Sequence, residues 1–360
     1  MKTLQCVSGR IACGVSAFVV ASLAVLIQIA PAHAVTIDWV TVGDPGNTGQ
    51  TNNYINGGTL TFGAVNDTFQ IMKFEWTNSQ YVDFLNAVDP NGTNPNSVYN
   101  TTMGSDFRGG ISFSSGNAAG SKYAAKTNMG DKPVNYVNWW DAARVANWLQ
   151  NGQGSGSTET GAYTLNNATS GTAPAVNPGA SYVLPTENQW YKAAYYKGGG
   201  TNAGYWNWAT QSDTAPTAVT ADGTGVGSAG STGNFANFSA AADWNSQDGN
   251  VTTVGTNGGP SAYGAFDMGG NVLEWNDLTG GAAGLRGQRG GFWIGFAFNV
   301  SSAYRTTDDP SFEFSSVGFR LASPVPVPEP STCALALAGL ACGGYLRLRL
   351  RTPVSRKQAP

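Results

Sequence analysis

The chain has 360 residues, with 19 Lys and Arg against 22 Asp and Glu, and so offers no basic footprint for nucleic acid, whose phosphates need clustered Lys and Arg. Its four cysteines, Cys6, Cys13, Cys333 and Cys342, and its single histidine, His33, all stand near the two ends. The long interval between them therefore excludes a disulfide framework, Cys or Cys/His zinc sites, a cysteine nucleophile, a Ser-His-Asp triad and a histidine-held iron.

Residues 1–34 carry Lys2 and Arg10, an apolar run over 11–30, and Ala32-His33-Ala34. A basic start, an apolar middle and an A-x-A ending read as a secretory signal peptide cleaved before Val35; an uncleaved anchor helix is the other reading of so long a run. The interval 35–323 keeps 12 of the basic and 21 of the acidic residues, a net charge of −9, which suits cations and neutral ligands such as glycans.

The segment 68–76 alternates as a strand. The spacing then predicts a helix over 77–88, with Thr77 and Gln80 forming a capping box and Tyr81, Phe84, Leu85 and Val88 on one face. Two more helices are predicted: 138–149, capped by Asn138 with Ala142, Val145, Ala146 and Leu149 aligned, and 186–196, with Thr186 and Gln189 as a capping box. Residues 91–128 and 152–180 show no helical period and read as polar loops. With 48 glycines and 11 tryptophans in the chain, this is a loop-rich domain in which aromatic anchors supply buried area and glycines permit tight turns. No internal repeat is visible, and 35–323 reads as one domain.

Beyond it, 324–360 begins as a proline run and continues through Val325-Pro326-Val327-Pro328-Glu329-Pro330-Ser331-Thr332 to an apolar stretch over 333–346 and to Arg347, Arg349 and Arg351. The stretch is short for a membrane span, which needs about 20 residues, although the arginines lie where positive charge is retained on the cytoplasmic side. Motif, helix and basic cluster together resemble the PEP-CTERM sorting signal. That resemblance implies a Gram-negative host, export to the envelope or beyond, transient membrane attachment and processing by an exosortase-type enzyme; an ordinary membrane anchor is the plainer alternative.

Five separated segments carry a second resemblance. Phe74-Glu75-Trp76-Thr77-Asn78-Ser79-Gln80-Tyr81, then Phe84-Leu85, is similar to "E-V-T-n-x-x-Y-x-x-F"; 133–142 resembles "P-V-x-x-V-S-W-x-D-A"; Leu184-Pro185-Thr186-Glu187-Asn188-Gln189-Trp190 resembles "L-P-T-E-A-E-W". Residues 263–275 resemble "G-L-Y-D-M-x-G-N-V-W-E-W", and Arg289-Gly290-Gly291-Phe292-Trp293, Tyr304-Arg305 and Gly318-Phe319-Arg320 complete "R-G-G-S-W … R … G-F-R". In this order, over 68–322, they resemble the formylglycine-generating (sulfatase-modifying) family and imply its variety of the C-type lectin-like fold, a loop-rich α+β unit.

Each motif also has a scaffold reading. Glu187 and Trp190 share a helix face, as a buried carboxylate accepting backbone hydrogen bonds beside a buried indole. Arg289 and Arg320 suit buried carbonyls or acids, and Gly290-Gly291 suits a close backbone approach. The family's enzymes carry two cysteines two and seven residues after the motif Trp, positions held here by Gly295 and Val300. Its thiol-bound copper and cysteine oxidation do not transfer, nor does the histidine-bound iron of related sulfoxide synthases. No catalytic residue is assigned.

Calcium, which takes six to eight oxygen ligands, is the ion the resemblance implies. Gly270, Asn271, Val272 and Glu274 match one family site, and Asn237, Phe238, Asp248 and Asn250 a second, as structural ties for long loops. Trp206, Trp208, Phe292, Trp293, Phe296 and Tyr304 fall in segments that border the family's substrate groove and could stack on a sugar ring or peptide. The resulting expectation is an exported, non-catalytic binding or structural module whose partner is an extracellular polysaccharide or peptide. A divergent enzyme of the family with a different active site is the alternative, as is a passive matrix protein known only by its tail.

Overall fold

The computed structural model describes residues 34–54 and 58–324. The signal-peptide reading, apart from Ala34, and the sorting segment from residue 325 lie outside the described residues.

The described chain opens with β1 (Trp39–Val42), the hairpin β2 (Gln50–Tyr54) and β3 (Gly58–Phe62), and β4 (Phe69–Met72), before α1 (Asn78–Val88). A short helix α2 (Thr102–Ser105) and a second hairpin, β5 (Ile111–Phe113) and β6 (Tyr123–Ala125), precede α3 (Trp139–Gln150) and α4 (Glu187–Tyr195). A parallel pair, β7 (Thr217–Ala218) and β8 (Phe235–Ala236), follows. The closing strands are β9 (Leu273–Asn276), β10 (Arg286–Arg289), β11 (Thr306–Asp308), β12 (Val317–Phe319) and β13 (Ala322–Ser323).

Two sheets organise the unit. One runs β1-β4-β13, all antiparallel, and the other β11-β10-β9-β12, with β9 and β12 parallel. Both central strands of the second sheet are buried along their whole length, so their polar residues need partners inside the protein.

The three longer helices start where the caps predict. Thr77, Asn138 and Thr186 each accept from the backbone three residues on, while Gln80, Asp141 and Gln189 reach back to the cap nitrogen. In α3 every residue from Trp139 to Leu149 is buried, and Ala142, Ala143 and Ala146 let neighbouring backbones approach closely. Two of its polar side chains find partners inside the protein: Arg144 Nε donates to Glu159 at 2.9 Å, and Asn147 Nδ2 donates to the carbonyls of Thr158 at 2.6 Å and Tyr163 at 3.0 Å.

Two predictions change. The strand over 68–76 stops at Met72: Lys73 N still meets Asp38 O in register at 2.8 Å, but Trp76 N bonds Phe319 O at 2.9 Å, outside the register in which β4 pairs with β13. Within 91–128, α2 and the β5–β6 hairpin replace featureless loop; the hairpin docks through Asn86 on α1, which bonds both the nitrogen and the carbonyl of Tyr123. The 152–180 segment carries no helix or strand of its own, yet it buries Ala162, Tyr163, Leu165 and Ala173 in the core.

The composition explains how so irregular a chain holds together. Asn94, Asn96, Asn128, Asn166, Asn167, Asn245 and Asn271 all take left-handed backbone, which asparagine tolerates better than other non-glycine residues. Buried asparagine amides then bind loop carbonyls. Asn78 Nδ2 donates to Met129 O at 2.9 Å, and Asn135 Nδ2 to Arg108 O and Ser315 O at 2.9 Å each. Such side-chain bonds do locally what ladder bonds do elsewhere.

Candidate functional site: a sealed loop ringed by aromatics

The residues that the five motifs single out converge on two buried ion clusters. In the first, Arg320 grips Glu274 from both sides, Nε to Oε2 and Nη2 to Oε1, each at 2.6 Å, and its Nη2 also reaches Phe266 O at 2.8 Å. Trp190 Nε1 adds 2.7 Å to Glu274 Oε2. Glu75 stands nearby, accepting from Asn271 Nδ2 at 2.8 Å; burial first, then the charges of Asp267 and Glu274, push its carboxyl well above the ordinary carboxylate range. Burial opposes the Arg320 charge, but Glu274, Glu75 and Asp267 outweigh it and hold the guanidinium more firmly protonated than usual.

In the second cluster Glu187 receives Arg289 Nε at 2.9 Å and Arg305 through Nε at 2.8 Å and Nη2 at 2.9 Å. The Glu187 carboxylate thus faces two arginine side chains rather than the backbone groups expected of it. Arg289 lies over the rings of Phe62 and Tyr191, at 4.7 and 4.8 Å, so the cluster also pins the β2–β3 hairpin. Both clusters are scaffold.

The loop that follows β10 holds the positions where the family's cysteines would stand. Gly291 is left-handed at φ 73, and a Cβ there would meet Asn299 O at 2.5 Å, as the paired glycines suggested. Gly295 is buried, and a Cβ there would lie 3.1 Å from Asn299 Cβ and 3.2 Å from Phe292 O. Val300 is 1% exposed and packs with Ala236 and Phe238 in a small apolar cluster, against which Trp208 and Ala297 rest. Both positions form a closed floor.

The aromatic residues predicted as a groove divide. Phe296 is 75% exposed, whereas Trp293 is buried, its indole donating to Ser315 O at 3.3 Å with the Arg108 guanidinium 4.5 Å from its ring. Trp206, Trp208, Phe292 and Tyr304 are half-buried; Trp206 lies under Lys197 and Tyr304 meets Phe298 edge-on at 6.0 Å. Sequence reasoning missed Phe107, Phe312 and Phe314, which are exposed, the last two stacked at 6.1 Å. Their signal was an aromatic flanked by polar loop residues, in Asp106-Phe107-Arg108 and Ser311-Phe312-Glu313-Phe314. Trp293 is the hub: its contacts with Arg108 and Ser315 draw the loops bearing Phe107 and Phe314 toward the one bearing Ile294, Phe296 and Phe298.

The two calcium donor sets differ in their fit. At 270–274 the oxygens of Glu274 already accept from a guanidinium and an indole, while Asn271 Oδ1 accepts from Thr252 N at 2.9 Å and Asn237 Nδ2 at 3.1 Å. A cation there would displace Arg320, so this donor set does not fit calcium. At the second set Asn237 is fully buried and its Oδ1 faces no donor, which is what a cation would satisfy; Asn250 is buried, Asp248 is exposed, and Phe238 could offer only its carbonyl, its ring lying in the apolar cluster. Among the described residues no three acidic, His or Cys side chains gather as a metal site. A cavity of about 160 Å³ lies beside Glu75, bordered by Asp38, Thr77 and Gln80.

An irregular α+β scaffold with motif arginines and acids paired inside it defines the class of protein. The Sulfatase-modifying factor enzyme 1-like domain matches residues 42–325, and the chain belongs to that family. Solved structures similar to it include Treponema denticola variable protein 1, at 19% identity over 82% of this chain and 97% of that one with a TM-score of 0.45. CarF is similar at 23% identity over 81% and 99%, TM-score 0.42, and PvdO from Pseudomonas aeruginosa at 18% over 81% and 93%, TM-score 0.40. No curated protein matches the chain.

Proposed function

We propose that this member of the family is an exported, non-catalytic binding or structural module that uses the family scaffold to present an aromatic surface to an extracellular polysaccharide or peptide. The observation that carries the reading is the 292–300 loop, where Gly295 and Val300 form a buried floor and Phe296 stands 75% exposed above it. Exposed aromatic patches on a protein surface mark interaction sites, and rings stack on sugars and peptides alike. The test is direct. The full chain, incubated with a sulfatase-type cysteine peptide under copper and oxygen, should leave the peptide unchanged by mass spectrometry; conversion to formylglycine would sink the proposal.

Calcium belongs to the proposal only at the loop after Asn237, where the unpartnered Oδ1 supports it. Export through residues 1–34 and transient membrane attachment with exosortase-type processing at 324–360 are likewise proposed, on the motif order alone; a chain lacking 324–360 that reached the same destination would remove the sorting claim. A divergent enzyme is favoured by one observation, the buried Glu75 bordering a cavity. That reading requires Glu75→Gln to abolish an activity that the folded wild type displays.

A further inference from the structure

We propose that a cleft between the start of β2 and the segment following α4 binds a neutral, hydroxyl-rich ligand, a saccharide of one or two rings. This rests on the non-catalytic binding role proposed above, and names a site for it other than the aromatic loops.

The cleft measures about 320 Å³ and is lined by Thr48, Gln50, Thr201, Asn202 and Tyr205 with two glycines. That is the low end of the range for small-ligand sites, roughly 300–1,000 Å³. No charged side chain lines it, so an ionic ligand would lose its hydration without gaining a partner. What remains are hydroxyls, amides and one aromatic ring, the combination that meets a sugar's alternating hydroxyl and C–H surface.

The walls are built in advance. Thr48 N donates across the cleft to Thr201 O at 3.1 Å, and Thr48 Oγ1 to Asn202 Oδ1 at 3.3 Å. The Tyr205 hydroxyl accepts from Asn47 Nδ2 at 2.8 Å and donates to Thr48 O at 3.0 Å, while its ring is held edge-on by Tyr196 at 4.9 Å. A ring fixed by two hydrogen bonds and a neighbour has little rotamer freedom left to lose on binding. Gln50 Oε1 accepts from Tyr191 OH at 2.5 Å, which leaves its amide nitrogen, like that of Asn202, with no acceptor among the described residues. Two free amide donors beside a fixed ring are what sugar hydroxyls would use.

The experiment titrates the full chain with cellobiose, maltose and N,N′-diacetylchitobiose, followed by saturation-transfer NMR. Asn202→Trp fills the cleft from its exposed rim without touching the core, and Phe296→Ser/Phe314→Ser strips the aromatic loops. At least one sugar should saturate below ~20 mM, with Asn202→Trp weakening it about tenfold or more. No saturation by any of the three, or unchanged binding by a folded Asn202→Trp, would overturn the cleft. Binding lost in the double serine variant and retained in Asn202→Trp would reject the cleft and leave the aromatic-surface reading standing.

Discussion

Replacing Arg320 by methionine removes the guanidinium around which Glu274, Glu75 and Asp267 are arranged. Arg320 is fully buried, and after truncation Glu274 would keep only the Trp190 indole at 2.7 Å, while Phe266 O would lose a donor at 2.8 Å. Breaking a buried pair from one side costs about 3–5 kcal/mol because the remaining charge is stranded, and an orphaned carbonyl adds roughly 1–3. A loss of at least about 4 kcal/mol is expected, a large part of the roughly 5–15 kcal/mol that holds a domain folded. Urea unfolding followed by tryptophan fluorescence reads it out, Trp190 and Trp275 lying in and beside the cluster. Glu274→Gln keeps an acceptor for Trp190 and removes the stranded charge, so Arg320→Met/Glu274→Gln should recover about 1–3 kcal/mol relative to the sum of the single changes. A single variant within about 1 kcal/mol of wild type, or strict additivity in the double, would show that the pair is not organised as described.

Mild acid should favour this fold. Burial pushes the Asp277 carboxyl up to about 7, against the pull of Arg286, whose Nε lies 3.1 Å away without hydrogen-bond alignment. Its protonated form is favoured in the folded state, so its contribution is complete below the ordinary pKa near 3.8 and fades as pH rises through about 7, at up to about 1.4 kcal/mol per unit. Glu75 and Asp141 shift in the same direction. The melting temperature should therefore not fall from pH 7 to pH 5, and Asp277→Asn should flatten whatever slope exists; a steep loss of stability in that window would contradict the assignment. Phe296→Ser and Phe314→Ser, at exposed positions, should each change stability by less than about 0.5 kcal/mol, and a drop of several degrees in melting temperature would mean these rings are packed. Gly295→Cys should cost about 1–3 kcal/mol, since its Cβ would press on Asn299, and with Val300→Cys should gain no oxidase activity toward a cysteine peptide. EGTA should lower the melting temperature only if the Asn237 loop holds calcium, and should do so equally in Glu274→Gln; an unchanged wild type removes calcium from the proposal.

The sequence was most legible where the physics is local. Two capping boxes, the Asn138 cap and the apolar faces that follow located α1, α4 and α3, because cap and face lie within a few residues of each other, while the Asp141 half of the α3 box went unread. The family motifs were legible as a pattern, but their partners were not. Glu187 meets Arg305 across 118 positions and Glu274 meets Arg320 across 46, and no spacing rule connects such residues. The β5–β6 hairpin was missed because serine, glycine and alanine give weak strand signals, and its docking depends on Asn86 of another element. In the groove, aromatic identity did not reveal exposure: Trp293 went inward because Arg108 and Ser315 received it, while Phe312 and Phe314 were left outside.

The three-stranded sheet has a consequence for the order in which the protein can mature. Its middle strand β4 is flanked by β1 on one side and by β13 on the other, so residues 71 and 322 are paired neighbours. Arg320, which closes the Glu274 cluster, arrives only two residues earlier than that last strand. A chain emerging from its N-terminus would thus hold an open sheet edge and several uncompensated buried acids until its final described strand had appeared. Folding can be completed only after nearly the whole domain has been delivered, so arrest of delivery before residue 320 should leave a protease-sensitive intermediate rather than a shortened native domain.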